Sequence, residues 1–420
     1  MILNPFINTL RSFRHSFAVL TGIVLFLGVT ILSGFVNPRT PGGWVGSWGT
    51  AEQLVEPNNM PPAPGLSNNT IRQIVRVSIP GKKLRLRFSN EFSKSPVTIK
   101  AVHIAASTGS GTSGIVGSTI TNMKFNGKQE VTMAPGVAVT SDEFSFDLKA
   151  RMDVAITIAF GETSPDVTGH PGSRTTSYIL AGDQSSASAD FSNAVKTDHW
   201  YVINAIDVKA PKSGASIAVL GNSITDGRGS GTNKQNRWTD ILSERLLKNK
   251  ATKNISVLNM GLGGNCVLRD CLGPAGVNRI ERDVLKQSGI RWLIVLEGVN
   301  DIGGTRDSVS AARVATGLIE AYGKIIDQAH AANLKVYGAT ILPFGKAGYD
   351  SKPHEAARNK VNDWIRNSGR FDAVIDFDKA LRDPQAIANL LPAADTGDHL
   401  HPNETGYKMM GEVIDLNLFK

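Results

Sequence analysis

Cysteine and clustered charge are both scarce in this 420-residue chain, and each scarcity narrows the class of protein. The two cysteines, Cys266 and Cys271, allow at most one disulfide. The net charge of +8 is spread evenly, with 18 Lys and Arg against 14 Asp and Glu up to residue 210 and 27 against 23 after it. No run of five like charges occurs, whereas nucleic-acid binding needs a concentrated basic stripe. We therefore expect no nucleic-acid partner.

The densest basic stretch is Lys82-Lys83, followed at alternate positions by Arg85 and Arg87. This alternation predicts the outward, solvated face of a β-strand. Contact with an acidic polysaccharide or an anionic lipid is the alternative interpretation.

Nucleotide-binding glycine motifs are missing as well. The glycine-rich stretch at residues 227–231 has no Lys-Ser or Lys-Thr pair in the position that a phosphate-binding loop requires. We interpret it as a flexible rim of the site. No group of His and Cys has the spacing of metal ligands. The sequence therefore predicts no cofactor and no bound metal.

Charge is also absent from residues 16–36, which are rich in Val, Leu, Ile and Phe. Arg11, Arg14 and His15 precede this apolar run, as in an export signal, and Ser33-Gly34 is the candidate cleavage site. A run of about 20 apolar residues is also long enough to span a bilayer. We predict a signal peptide or membrane anchor at 1–36 and a linker at 37–43. The protein is expected to be exported, periplasmic or extracellular, and to touch a membrane only through this segment.

Residues 44–210 are predicted to form an antiparallel β-sandwich domain. Short β-branched or alternating runs are separated here by Gly, Ser, Pro and Asn, and this pattern is typical of sandwiches. The runs lie at 71–77, 84–88, 97–104, 144–148 and 152–160.

Residues 211–420 have a different sequence pattern, which predicts alternating strands and helices. Such alternation builds an α/β fold with a parallel sheet covered by helices on both faces. Strands are predicted at 216–220, 255–259, 291–296, 335–341 and 373–376, and helices near 236–249, 275–287, 308–332, 354–367 and 403–415. In the longest helix, one buried face is predicted from the spacing of Val309, Ala312, Leu318, Tyr322, Ile325 and Ile326.

Ser223 follows the buried strand at 217–220 and is the first candidate functional residue. Ligands bind at the carboxyl ends of the strands in open parallel sheets, so a serine there can act as a nucleophile. A turn residue or helix cap is the ordinary alternative. Three later stretches favour the nucleophile: NMGLGG at 259–264, GVND at 298–301 and DHLH at 398–401.

Together with Gly221-Asn222-Ser223, these stretches resemble the four signature blocks of the SGNH, or GDSL-type, hydrolases, and they occur in that family's order. The wider sequence is similar to the branch of exported, xylan-esterase-like members. The resemblance covers about residues 211–420. It implies a five-stranded, doubly wound, flavodoxin-like sheet in this domain.

The resemblance assigns catalytic roles to Ser223 as nucleophile, His401 as base and Asp398 as the group that orients the base. The spacing of three residues lets Asp398 and His401 point the same way, as a carboxylate that holds an imidazole in one tautomer must. His399 competes for the role of base, but its spacing of one residue turns it away from Asp398. A metal-binding or merely polar loop is the alternative for DHLH.

An oxyanion hole is expected from the backbone N–H groups of Ser223 and Gly264 and the side-chain amide of Asn300. One such donor is typically worth about 3 kcal/mol of transition-state stabilisation. Asp301 is interpreted as a residue that orders its loop. Asp226 is given a loop-ordering or capping role.

Asn222 departs from the family pattern, which usually has Asp between the glycine and the nucleophile. The departure puts the hydrogen bonds of this loop in question rather than the reaction.

A disulfide between Cys266 and Cys271 is predicted, because export places them in a compartment where disulfides persist. Two buried, reduced thiols are the alternative, since the short spacing requires a bent backbone to reach disulfide geometry.

These features predict a serine esterase that removes acyl groups, with acetyl preferred, from polysaccharide or oligosaccharide. One alternative is a lipolytic acylhydrolase that acts on short-chain or lysophospholipid esters. Another is a carbohydrate-binding protein with an inactive hydrolase domain.

Overall fold

The computed structural model describes residues 43–184 and 190–420, which belong to one compact unit. The predicted signal or anchor segment and most of the predicted linker lie outside the described residues. None of the helices in the described ranges is both long enough and apolar enough to cross a membrane.

Antiparallel sheets occupy the first part of the described chain. A five-stranded sheet has the order β1-β15-β4-β8 with β9 beside β4, and a seven-stranded sheet has the order β13-β12-β3-β10-β5-β6 with β7 beside β5. A three-stranded sheet follows the order β14-β11-β2. The strands are β1 Trp44–Gly49, β2 Gln53–Leu54, β3 Thr70–Arg76, β4 Gly81–Asn90, β5 Val97–Ala106, β6 Thr121–Asn122, β7 Val131–Met133, β8 Val137–Thr140, β9 Phe144–Leu148, β10 Asp153–Phe160, β11 Thr168–His170, β12 Ser177–Leu180, β13 Val195–Thr197, β14 Trp200–Tyr201 and β15 Ile203–Lys209.

The basic stretch lies on β4, where the predicted alternation is present. Leu84, Leu86 and Phe88 are buried, and Lys82 and Lys83 are exposed. The inward residues of β4 join one apolar core formed by the antiparallel sheets.

The second part of the chain contains a five-stranded parallel sheet. Its strands are β16 Ala215–Gly221, β17 Ile255–Gly261, β18 Ile290–Leu296, β19 Lys335–Ala339 and β20 Ala373–Ile375. Their spatial order is β17-β16-β18-β19-β20, which is the 2-1-3-4-5 order of flavodoxin-like folds. A separate two-stranded sheet pairs β21 Arg382–Asp383 with β22 Ala386–Leu390. Buried apolar clusters lie against both faces of the parallel sheet, as the α/β prediction requires.

The α-helices that cover this sheet lie close to the predicted positions, with one exception. The segment predicted as a helix at 275–287 forms only a 3₁₀ turn, Gly276–Asn278, and a short π-helix, Glu281–Leu285. Ile280 and Val284 join the apolar core there, but Arg279 and Asp283 are buried beside them and bind polar partners. The helices are α1 Ser223–Asp226, α2 Trp238–Lys248, α3 Val299–Gly303, α4 Ser308–Ala331, α5 Lys352–Asn367, α6 Phe377–Leu381 and α7 Glu404–Val413, with further 3₁₀ turns at Pro57–Asn59, Gly117–Thr119, Pro392–Ala394 and Leu416–Phe419.

The buried face of α4 differs from the predicted one in its first two turns. Leu318, Tyr322, Ile325 and Ile326 are buried as predicted, whereas Val309 is 67% exposed and Ala312 is exposed. The side chain of Asp307 caps this end of the helix by accepting from the Ser310 N–H. The first turn therefore lies at the surface, and the buried face begins with Ala311 and Ala315.

The antiparallel and parallel parts are joined by close backbone contacts. The Gly46 carbonyl on β1 accepts hydrogen bonds from the hydroxyls of Ser216 and Ser256, at 3.2 and 2.5 Å. A Cβ added at Gly46 would lie 2.8 Å from Leu258 Cδ1, so a side chain at this position would displace Leu258. Beyond β1, Thr50 forms a parallel bridge with Asn259 at the edge of the parallel sheet. The two parts thus share a hydrogen-bonded boundary, and their predicted division at residue 210 stays a prediction.

Candidate active site

Ser223 is the first residue of α1 and follows β16 after a single residue. That residue, Asn222, starts the helix, because its Oδ1 accepts from the Ile224 N–H at 3.1 Å. Its Nδ2 donates to Glu297 Oε2 at 3.3 Å, a hydrogen bond that an aspartate at this position could not donate. Asparagine, in place of the aspartate that the family pattern usually has, therefore suits this position because it can donate to the buried carboxyl group of Glu297.

Ser223, His401 and Asp398 form a continuous hydrogen-bonded chain. Ser223 Oγ lies 2.9 Å from His401 Nε2, and His401 Nδ1 lies 2.7 Å from Asp398 Oδ2. Asp398 Oδ1 also accepts from the His401 N–H at 2.9 Å, which fixes the turn between the two side chains. This is the arrangement of nucleophile, base and orienting group that acyl transfer from serine requires.

The surroundings of the chain set its charge state. Burial lowers the pKa of the His401 imidazole, and the positive charges of Arg228 and Arg174 lower it further, while Asp398 opposes both effects. Burial alone would raise the pKa of Asp398, but hydrogen bonds from His401 and Leu400 outweigh it and hold that pKa well below its usual range. A neutral imidazole beside a carboxylate can accept the serine proton.

His399, the competing histidine, points elsewhere. Its Nδ1 lies 2.5 Å from Asp395 Oδ2, and its backbone has a positive φ of 62°. The left-handed residue reverses the chain between Asp398 and His401, so only the second histidine faces Ser223.

The three expected oxyanion donors lie at the carboxyl ends of β16, β17 and β18. Within the described residues, neither the Ser223 N–H nor the Gly264 N–H has a hydrogen-bond acceptor. The Asn300 amide donates one hydrogen to the Asn265 carbonyl at 2.8 Å, and its oxygen accepts from the Tyr349 hydroxyl at 3.1 Å. Its second N–H is left over for a ligand.

Gly264 has a φ of +67°, a left-handed conformation that favours glycine. It is followed by a loop that a disulfide between Cys266 and Cys271 closes, with the Cα atoms 5.7 Å apart. Asp301 accepts from the backbone N–H groups of Val267 and Leu268, at 2.9 and 3.0 Å. This carboxylate orders the loop, as the sequence interpretation proposed.

Arg279 is an organising residue that the sequence interpretation missed. Its guanidinium is fully buried and donates to the carbonyls of Gly221 and Met260 and to Asn265 Oδ1. It therefore joins the ends of β16 and β17 to the residue that holds Asn300. The charged pattern of the segment gave no sign of burial, because Gly221, Met260 and Asn265 are distant from Arg279 in the sequence.

Glu297 completes this network below the nucleophile. It lies between Asn222 and Arg279, and burial raises its pKa to about 8, although Arg279 opposes the shift. Arg279 lies 3.0 Å from the Asp283 carboxylate and 3.4 Å from Glu297. Glu297 thus belongs to the buried network that contacts Asn222 and Arg279.

The antiparallel part holds the other end of α1. Asp226 is buried, and its Oδ1 lies 2.9 Å from Nε2 of His170 on β11. The His170 ring also contacts the Ala51 carbonyl and stacks on Trp200. Arg237 donates to the carbonyls of Asp226 and Ser173. Asp226 therefore orders the loop after the nucleophile, with a partner that sequence spacing could not identify.

Within residues 43–184 and 190–420, no group of three or more His, Cys, Asp or Glu side chains could hold a metal ion.

Residues 219–409 match the family model of the GDSL-like lipase/acylhydrolase family. The matched region contains Ser223, Gly264, Asn300, Asp398 and His401. No curated protein of known sequence matches the chain at a significant level.

Several solved structures resemble about half of the chain. One is a putative lipolytic protein of the G-D-S-L family from Desulfitobacterium hafniense DCB-2, with 19% identity, a TM-score of 0.36 and coverage of 48% of this chain and 97% of that one. Another is a lipase/acylhydrolase from Enterococcus faecalis, with 18% identity, a TM-score of 0.36 and coverage of 49% and 95%. A carbohydrate acetylesterase from Sinorhizobium meliloti has 15% identity, a TM-score of 0.35 and coverage of 47% and 94%.

Proposed function

We propose, on the premise that residues 219–409 form a GDSL-like lipase/acylhydrolase domain, that this carboxylic ester hydrolase is an exported serine esterase that acts through Ser223. The observation that carries the assignment of the nucleophile is the hydrogen-bonded chain from Ser223 through His401 to Asp398.

In the proposed mechanism, His401 Nε2 removes the Ser223 proton while Oγ attacks the ester carbonyl. The backbone N–H groups of Ser223 and Gly264 and the free N–H of Asn300 receive the negative charge that develops on the carbonyl oxygen. His401 then gives the proton to the departing alcohol, which leaves an acyl group on Ser223. A water molecule activated by His401 releases the acid and restores the serine.

The proposed substrate is an acyl ester, with acetyl preferred, of a polysaccharide or oligosaccharide. Its support is the resemblance of the four sequence blocks to exported, xylan-esterase-like members of the family. Export is supported by the basic and apolar N-terminus and by the disulfide, because disulfides persist outside the reducing cytosol.

Replacement of the nucleophile tests the proposed function. Ser223→Ala should abolish hydrolysis of 4-nitrophenyl acetate without unfolding the protein, since loss of a triad nucleophile can lower kcat by about 10⁶. Ser230→Ala, on the same loop, is the matched control and should stay within tenfold of the wild type. A serine-directed fluorophosphonate should label Ser223 once, as mapped by peptide mass spectrometry. Activity of Ser223→Ala within tenfold of the wild type, or a label on another residue, would sink the assignment.

An ester panel distinguishes the substrate classes. Acetylated xylan oligosaccharides should be cleaved with a higher kcat/KM than a lysophospholipid. The reverse order would favour a lipolytic acylhydrolase, and sugar binding without hydrolysis of any ester would favour an inactive hydrolase domain.

A further inference from the structure

Asn300, the side-chain donor of the proposed oxyanion hole, has a hydrogen-bond partner on each side of its amide. Its Nδ2 donates to the Asn265 carbonyl at 2.8 Å, and its Oδ1 accepts from the Tyr349 hydroxyl at 3.1 Å. Asn300 is only 8% exposed, so its amide oxygen depends on the protein for a donor. In the described part of the chain, the Tyr349 hydroxyl is the only donor to this oxygen.

The two contacts fix which way the amide faces. A carbonyl oxygen only accepts, so Asn265 requires the NH₂ group of Asn300 on its side. A half-turn of the amide would bring Oδ1 against the Asn265 carbonyl and would put an oxygen where the oxyanion donor now lies. The Tyr349 hydroxyl favours the productive orientation, because it donates to Oδ1. It also polarises the amide, and hydrogen bonds that polarise one another become stronger.

Tyr349 reaches Asn300 across α3, the short helix that carries Asn300. It lies in the segment between β19 and α5, and its ring packs on Gly303 at the end of α3. A Cβ added at Gly303 would collide with three atoms of that ring. The absence of a side chain at Gly303 therefore lets the ring lie on α3 with its hydroxyl at Asn300.

A buried histidine holds the backbone of Tyr349 in place. The Tyr349 carbonyl lies 2.7 Å from His354 Nδ1, and since a carbonyl only accepts, Nδ1 carries the hydrogen. His354 Nε2 lies 2.8 Å from the hydroxyl of Thr305, which follows α3. His354, in the first turn of α5, therefore joins the backbone of Tyr349 to the end of the helix that bears Asn300. The Tyr349 hydroxyl is thus fixed before a substrate arrives.

We propose that Tyr349 is a positioning residue for the reaction, whose hydroxyl orients and polarises the Asn300 amide so that its free N–H stabilises the oxyanion. The inference rests on the proposed serine-esterase function and extends it to a residue outside the four sequence blocks. Tyr349 acts through Asn300 and not on the substrate itself. Oxyanion donors work because they are already oriented when the charge develops, so the hydroxyl should affect kcat more than KM.

Tyr349→Phe tests the hydroxyl, because it keeps the ring on Gly303. With 4-nitrophenyl acetate, we expect kcat to fall about threefold to tenfold, the range of one neutral hydrogen bond, and KM to stay within about twofold. Tyr337→Phe is the matched control, since the Tyr337 hydroxyl donates to the Leu418 carbonyl and Tyr337 packs beside Phe419. This control should keep the wild-type kcat even if its melting temperature falls.

A double-mutant cycle shows whether Tyr349 acts through Asn300. Asn300→Ala removes the amide and should lower kcat by roughly 10²–10³. Tyr349→Phe should then cause no further loss in the Asn300→Ala background. Phenylboronic acid, which forms a tetrahedral adduct with an active-site serine, should also bind Tyr349→Phe more weakly by the factor by which kcat/KM falls.

Three outcomes overturn the proposal. They are an unchanged kcat in Tyr349→Phe, a loss confined to KM, and a loss in the Asn300→Ala background as large as that in the wild type, which would mean that Tyr349 acts directly on the substrate. Each leaves the esterase function intact if the wild type cleaves 4-nitrophenyl acetate and Ser223→Ala does not. Absence of that activity in the wild type would instead refute the proposed function and the inference with it.

Discussion

As the proposed base, His401 should set how the reaction responds to pH. An unperturbed histidine has a pKa of about 6.5. Burial and the charges of Arg228 and Arg174 lower the pKa of His401, with Asp398 opposing them. The ring must be neutral to accept the serine proton, so kcat/KM should fall on acidification with a midpoint below about 6.5.

A pH profile of kcat/KM in the wild type, His401→Ala and His399→Ala tests this prediction. His401→Ala should be inactive, and His399→Ala should keep the wild-type midpoint because His399 faces Asp395. A midpoint above pH 7 in the wild type, or inactivity of His399→Ala alone, would contradict the assignment.

The raised pKa of Glu297 predicts that the free energy of unfolding falls as the pH rises. Burial raises its pKa to about 8 in the folded protein, against about 4.3 in an unfolded chain. Between these values the folded state keeps a proton that the unfolded state releases. The contribution of Glu297 to the free energy of unfolding is therefore complete below about pH 4.3 and is lost as the pH rises through about 8.

Glu297→Gln, which mimics the neutral form, should remove this dependence. In urea unfolding, the free energy of the wild type relative to the variant should fall by up to about 1.4 kcal/mol per pH unit between about pH 5 and 7. A constant difference across that range would show that Glu297 is ionised in the folded protein.

For single residues, the sequence predicted which motif residues come together better than it predicted the buried residues that hold them in place. The sequence grouped Ser223, His401 and Asp398 because their types and spacing suit the chemistry, and the structure joins them by hydrogen bonds. Arg279, Glu297 and His170 could not, since a charged residue is ordinarily exposed and their burial depends on contacts across the fold.

Among the elements, the disulfide loop after Gly264 has the most direct link to turnover. The loop presents the Gly264 N–H, and its Asn265 carbonyl holds the Asn300 amide. A short disulfide loop contributes only roughly 2 kcal/mol to stability. Its larger effect should be on the oxyanion donors, which act by being fixed before the reaction.

Cys266→Ser/Cys271→Ser should therefore lower kcat by about tenfold or more, but by no more than the roughly 10²–10³-fold effect of losing one donor completely. The melting temperature should change little by comparison. Mass spectrometry after alkylation without reductant checks that the wild type has the bridge. A normal kcat with a lowered melting temperature would make the bridge structural only.

Element boundaries followed the hydrophobic pattern where burial of apolar side chains decides the structure. The strands of the parallel sheet and α4 lie within a few residues of their predicted positions. The pattern failed at 275–287 because Arg279 and Asp283 turn inward to bind polar groups, and periodicity does not distinguish an inward from an outward charge.

In the whole molecule, the antiparallel part contacts α1, which begins with the proposed nucleophile Ser223, tightly at Gly172. A Cβ added there would lie 1.8 Å from Asp226 Oδ2, and the Asp226 carboxylate is held by His170. Gly172→Ala should displace the end of α1. This overpacking should lower the free energy of unfolding by about 1–3 kcal/mol.

The expected result for Gly172→Ala is a fall in kcat of roughly tenfold together with a lower melting temperature. Gly117→Ala is the matched control, because no atom lies within 4 Å of its added Cβ. Wild-type turnover in Gly172→Ala would show that the contact does not position Ser223.

The pairing of β1 also has a consequence for how the chain is made. Trp44 pairs with Lys209, which the ribosome adds 165 residues later (209 − 44 = 165), and Gly46 awaits the hydroxyls of Ser216 and Ser256. At about 5–20 residues per second, this wait lasts roughly 10–30 s. Throughout it, the first strand is an unpaired edge open to other nascent chains. β1 is thus complete long before its native partners are made, and a chaperone has roughly 10–30 s of translation in which to shield it.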